Sequence, residues 1–170
     1  MRGGHVLLFR AGGLRLGVFL AEVGRLLVED ALIAVPFAHP AMAGLLVADD
    51  DGPVPVFDLR GLVDDVDDPT GHASGAGQVR AYAAVATITG AAVVGATVAL
   101  FPTAKGPVGL RLEQLLGTIA TYEPLDATAA ARLHKDVPAA LARTVTGAAS
   151  AGDGPFSFFS PEAFLAGVGL

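Results

Sequence analysis

The side chains that could carry chemistry in this chain are few and far apart. Its four histidines, His5, His39, His72 and His134, are separated by more than thirty residues each, so none shares ligand spacing with another. His39 lies between Ala38 and Pro40, a turn setting with no nucleophile or base beside the imidazole, as general acid–base catalysis would need. Ser150, Ser157 and Ser160 lack the G-x-S-x-G setting of an exposed nucleophile. There is no cysteine, which removes disulfides, thiol catalysis and zinc–thiolate sites and is compatible with a reducing cytosol. Carboxylates are more plentiful. Asp49-Asp50-Asp51-Gly52 lacks the alternating ligands and distal Glu of a calcium loop. Neither Asp51-Gly52 nor Asp153-Gly154 is an Asp followed by Thr or Ser and Gly, the form a shared-proton carboxylate pair takes in a β-barrel protease. Glu22, Asp58 and Glu113 read as acids at turns and strand ends, where a carboxylate accepts from nearby backbone N–H groups. The residues therefore predict no catalytic site, no metal site and no cofactor.

What remains is recognition, and the stretch Pro36 to Arg60 is built for it. Two short apolar runs, Leu45-Leu46-Val47 and Val54-Pro55-Val56-Phe57, flank the acidic turn and predict a β-hairpin. Pro53 and Pro55 cannot donate to a sheet ladder, which predicts an edge position or a bulge. A hairpin of this kind offers hydrogen-bonding groups and apolar pockets to another protein, and three ionised Asp residues can accept from a basic partner.

The elements around it are strands. Val6–Arg10 and Leu14–Phe19 about a Gly-Gly turn, and Thr97–Phe101 and Val108–Leu112 about the turn 103–107, read as hairpins. A strand is expected over Arg25–Val28, and two more over Arg143–Ala148 and Pro155–Phe159 about Gly152-Asp153-Gly154. Helices are expected behind Asp126, over Ala127–Lys135, and behind Ser160, with Pro161 in its first position. Residues 64–78 have the composition of a flexible acidic and Gly-rich loop. Val79 to Gly95 is Ala-rich and fits neither period. Short strands with frequent turns predict an all-β, barrel-type chain of two lobes in a single domain spanning 1–170.

Composition limits the partners. With 52% hydrophobic residues, 16% charged residues and a mean hydropathy of +0.57, the chain predicts sticky surface or a protein partner. A net charge of −6 argues against nucleic acid, whose phosphates need a basic face. The apolar run before Arg10, Val6 to Phe9, has only four residues, too few for a signal-peptide core. Ala81 to Ala104 carries no charge and is long enough to span a bilayer, but its Ala, Gly, Thr and Pro content predicts buried strands and no membrane insertion.

In chain order, six pieces resemble the CheW-like domains, coupling proteins of bacterial chemotaxis. They are Leu7-Leu8-Phe9-Arg10 before a Gly turn, Leu20-Ala21-Glu22-Val23 for V-x-E-V, and Pro36 with Gly44-Leu45-Leu46. Pro55-Val56-Phe57-Asp58-Leu59-Arg60 stands for P-V-x-D-L, Val108-Gly109-Leu110-Arg111-Leu112-Glu113 for V-G-L-x-V-D, and Phe158 to Leu165 for the terminal L-L-D-p-e-x-L. The resemblance implies two intertwined, SH3-like five-stranded β-barrels with a few short helices and no enzymatic activity. It also implies a cytoplasmic scaffold that joins the cytoplasmic tip of a methyl-accepting chemoreceptor to a CheA-type histidine kinase.

Two departures qualify it. The family's N-x-R-G is replaced by Val47-Ala48-Asp49-Asp50-Asp51-Gly52, acid in place of base and about one residue longer, so the receptor contact of that Arg does not carry over. The connection from Asp64 to Gly95 is also longer than the family's. These departures leave open a CheW-like module of a non-chemotaxis receptor–kinase pathway, and a small β-barrel hydrolase is the reading of a different class. The expected protein-binding residues are Leu45, Leu46, Val54, Val56, Phe57 and Leu59 with Asp49, Asp50 and Asp51. Gly44 and Gly109 are expected at bulges or close backbone approaches.

Overall fold

A computed structural model describes residues 4–29, 32–36, 38–39, 41–48, 52–63, 85–88, 91–94 and 96–168. Short apolar runs punctuated by turns produce hairpins, as the sequence predicts. Strands β1 (Val6–Ala11) and β2 (Leu14–Phe19) pair across Gly12-Gly13. β4 (Met42–Ala48) pairs with β5 (Gly52–Phe57). β8 (Ala96–Phe101) pairs with β9 (Val108–Leu112), and β12 (Val145–Ala151) with β13 (Gly154–Phe159). β3 (Arg25–Glu29) lies beside β8. Within the ambiguous stretch, β6 (Val85–Ile88) and β7 (Ala91–Val94) form a further hairpin; residues 64–78 lie outside the described ones. No helix among the described residues is long and apolar enough to cross a membrane.

Three short α-helices occur among the described residues. α1 (Arg60–Val63) follows β5. α2 (Ala127–His134) begins where the Asp126 carboxylate accepts from the Ala129 N–H, and α3 (Pro161–Gly167) where the Ser160 hydroxyl oxygen accepts from the Ala163 N–H. Both caps satisfy a donor that the first helical turn leaves unpaired. The strand expected from Arg143 starts two residues later, because Ala142–Thr144 form a 3-10 turn. Two strands not anticipated from the sequence are β10 (Gln114–Ile119) and the two-residue β11 (Glu123–Pro124).

The architecture is all-β and built on two larger sheets. One has the expected five strands, in the order β3-β8-β9-β5-β4; the other has six, β10-β1-β2-β13-β12-β11. Strand pairing leaves both sheets open among the described residues. The two are interleaved along the chain, and each is joined in its middle by one short parallel pairing: β13 with β2, and β5 with β9.

The core explains why clean alternation is missing. Along β1, Leu7 and Phe9 enter a central cluster shared with the five-stranded sheet, while Val6 and Leu8 enter a second cluster with Phe156. Along β8, Ala99 and Phe101 enter the central cluster, while Val98 and Leu100 join Val54 and Val56 in a third. Each central strand is thus buried on both faces, as in sheets that curl around an interior of their own and also pack on each other. Both parallel pairings meet at a glycine, Phe158 opposite Gly17 and Val56 opposite Gly109. A Cβ on Gly17 would lie 2.7 Å from the Phe156 ring, and one on Gly109 would lie 2.8 Å from Val98 Cγ1. These are close approaches that a side chain would block. At Gly44 the pairing of β4 with β5 shifts register, the bulge expected there.

Candidate partner-binding groove and sheet edge

Strand β5 is placed to present its prolines. Its residues alternate, so Pro53, Pro55 and Phe57 share one face while Val54 and Val56 point to the other. Opposite Pro55 stands Leu45, whose N–H and C=O both bond outward to Ile33, at 2.8 and 2.9 Å. Leu45 and Pro55 therefore form a non-hydrogen-bonded pair, and so do Val47 and Pro53 two residues on, which leaves both proline nitrogens turned away from β4. On that far side β9 pairs only with Val56 and Phe57. The prolines thus occupy the half of an internal strand where no ladder is made. Of the two expected settings, an edge or a bulge, β5 takes the second: it is internal to the sheet, and the register shift between Met42 and Gly44 lies next to the Leu45–Pro55 pair.

Where the β9 ladder stops, a groove of about 800 Å³ opens. Pro53, Pro55, Pro102 and Pro107 line the wall from the five-stranded sheet; Pro161 and Leu165 of α3, which follows the six-stranded sheet, line the other. Both walls are held in shape. In the β8–β9 turn the Thr103 hydroxyl donates to the Gly106 carbonyl at 2.6 Å and accepts from the Lys105 N–H at 3.1 Å. The Ser160 cap fixes the start of α3. Glu22, Lys105 and Glu162 also line the groove, so an apolar floor carries separated charges. That arrangement suits a protein segment with apolar anchors and polar flanks.

The second exposed feature is the β4 edge. β4 ends the sheet order, and Ile33 and Val47 on its flank are 56% and 61% exposed, the highest values among the described large hydrophobics. Leu45, half-buried, lies between them on the same face.

The expected contact residues divide accordingly. Leu45 and Leu46 are half-buried, Leu46 against the Val54–Val56 cluster. Val54, Val56, Phe57 and Leu59 are core, none more than 3% exposed, which corrects their assignment as partner contacts. Asp49, Asp50 and Asp51 lie outside the described residues. Asp58 holds the turn after β5: its carboxylate accepts from the Arg60 N–H at 3.0 Å and pairs with the guanidinium at 2.9 Å. His39 Nδ1 accepts from the Ala41 N–H at 3.1 Å. Among the described residues no group of three His, Asp or Glu side chains is arranged to hold a metal ion. The groove prolines and the 102–107 turn were missed as a site; the local signal was the proline density itself.

No family model matches the sequence, and no curated protein does. Among solved structures, the chain is similar to the scaffolding protein TtCheW from Thermoanaerobacter tengcongensis, with a TM-score of 0.58 at 11% identity, over 95% of this chain and 86% of that one. The chain has the fold of that scaffolding protein.

Proposed function

We propose that this protein is a non-catalytic, cytoplasmic adaptor that couples chemoreceptors to a CheA-type histidine kinase. The observation that carries the reading is the apolar groove crossing from one sheet to the other, on a fold shared with a scaffolding protein. The receptor's cytoplasmic tip occupies the groove, with apolar side chains against Pro53, Pro55 and Leu165. The kinase's regulatory domain docks on the β4 edge through Ile33, Leu45 and Val47, with Leu46 behind them, and the acidic sequence Asp49-Asp50-Asp51 that follows β4 selects a partner surface carrying basic groups. The acid in place of the family's Arg-Gly favours a kinase, or a receptor–kinase pathway outside chemotaxis, whose docking surface is basic at that point.

Two exposed substitutions test the assignment. Val47→Glu weakens co-elution with the kinase regulatory domain by about tenfold or more, as loss of one apolar anchor does. Ala166→Trp, which fills the groove from an exposed position, weakens binding of a receptor-tip fragment by a similar factor. If both variants bind both partners like the parent protein, the groove and the edge are not the docking surfaces.

A further inference from the structure

The two sheets are tied together by charge as well as by the shared core. Glu113 sits at the single-residue junction between β9 and β10, where the chain leaves the five-stranded sheet for the six-stranded one. Its carboxylate faces both. Oε2 accepts from the Gly13 N–H in the β1–β2 turn at 3.3 Å, and Oε1 lies 3.4 Å from Arg60 Nε on α1. Arg60 is itself gripped in a two-point pairing by Asp58, Nη2 to Oδ2 at 2.9 Å and Nε to Oδ1 at 3.3 Å. These side chains are only 17–32% exposed, so salt screens them less than it would a surface pair.

The position of this cluster matters. β5 and β9 run parallel. Pro53 and Pro55 from the first four residues of β5, and Pro107 just before β9, line the groove, while Asp58 and Glu113 immediately follow the ends of these strands. The β1–β2 turn is therefore anchored to the far ends of the two strands that form one groove wall, and α3 on the opposite wall follows β13 of the same six-stranded sheet. Apolar packing between the sheets is strong but non-directional; the forked Asp58–Arg60 pairing holds the guanidinium in place on the side of the five-stranded sheet, and the Glu113 carboxylate beside it carries the link across to the Gly13 N–H.

We propose that Asp58, Arg60 and Glu113 form a charged latch between the sheets that sets the opening of the groove, making them positioning residues for whatever docks there. The latch stands on the geometry alone; its effect on binding rests on the groove being the docking site. Because the chain has no cysteine, Ala104→Cys with Ala166→Cys places a pair of nitroxide labels on opposite walls, both at exposed positions. Pulsed dipolar spectroscopy on the full chain gives one narrow distance with the latch intact. Adding Glu113→Ala broadens and shifts that distance, and Glu113→Gln, which keeps one acceptor, falls between. An unchanged distribution in either variant, with the fold checked by circular dichroism, overturns the proposal. On unlabelled protein, Glu113→Ala lowers affinity for the receptor-tip fragment about fivefold. A broadened groove with unchanged affinity keeps the latch and rejects the groove as the receptor site, so the two failures are distinguishable.

Discussion

Gly109 is a point at which the fold has no room for a single added methyl. Its backbone is part of β9 and extended, so alanine is conformationally acceptable there and would by itself stabilise by about 0.4–1 kcal/mol through the unfolded state. The space is not available. The new Cβ would lie 2.8 Å from Val98 Cγ1, 2.9 Å from Val56 Cγ2 and 3.4 Å from Leu100 Cδ2, and neither valine has any exposed surface into which to move. Overpacking of this kind costs about 1–3 kcal/mol, so Gly109→Ala destabilises by a net of about 1–2 kcal/mol. For a chain of this length that lowers the melting temperature by roughly 3–6 °C. Denaturant unfolding should show the midpoint falling with the slope unchanged. Val98→Ala removes one of the two clashing methyls, so a double-mutant cycle should recover about 0.5–1 kcal/mol of the penalty. Gly152→Ala, with nothing within 4 Å of its Cβ, serves as the control and should stay within about 0.5 kcal/mol. The packing argument is refuted if Gly109→Ala melts with the parent protein, or if its penalty is the same with Val98 shortened.

Leu59→Ala tests the reassignment of the expected contact residues: Leu59 has no exposed surface, so its truncation should destabilise by about 2–5 kcal/mol while leaving partner affinity of the folded fraction unchanged, read by calorimetric binding below the melting transition. Asp153 tests charge at the β12–β13 turn, where a hydrogen bond from the Arg15 guanidinium holds its carboxyl below the usual carboxylate value of 3.8. A carboxyl whose folded pKa is depressed adds stability above its unfolded pKa and loses it as pH falls through the folded value. Asp153→Asn should therefore flatten the acid limb of the melting-temperature profile and leave the slope above pH 6 unchanged; an identical acid limb would remove the pair from the account.

Much of the secondary structure was legible because each element carries a local physical cause. Gly-Gly and Gly-Asp-Gly turns forced the first and last hairpins, and Asp126 and Ser160 announced α2 and α3 by their caps. β10 was missed because nothing punctuates its start: Glu113 alone separates it from β9, with no Gly or Pro to mark the change of sheet. The misplacement of Val54, Val56, Phe57 and Leu59 has a different origin. A strand buried on one face alternates; β5 sends Val54 and Val56 into one cluster and Phe57 into another, and an apolar run of that sort does not say which residues remain at the surface.

The groove was illegible for a non-local reason, and that reason also explains how it persists. Whether Pro53 and Pro55 sit at an edge depends on how far β9 runs alongside β5, and β9 begins fifty-one residues after Phe57. The pairing covers Val56 and Phe57 and stops, since a proline nitrogen has no hydrogen to extend it. A cleft beside unpaired strand backbone would ordinarily invite another chain to zip onto it. Here two of the positions that would donate are prolines, so the groove can receive a partner's side chains but offers little ladder for strand addition. This favours docking of a preformed surface, such as the face of a helical hairpin, over recruitment of an extended peptide.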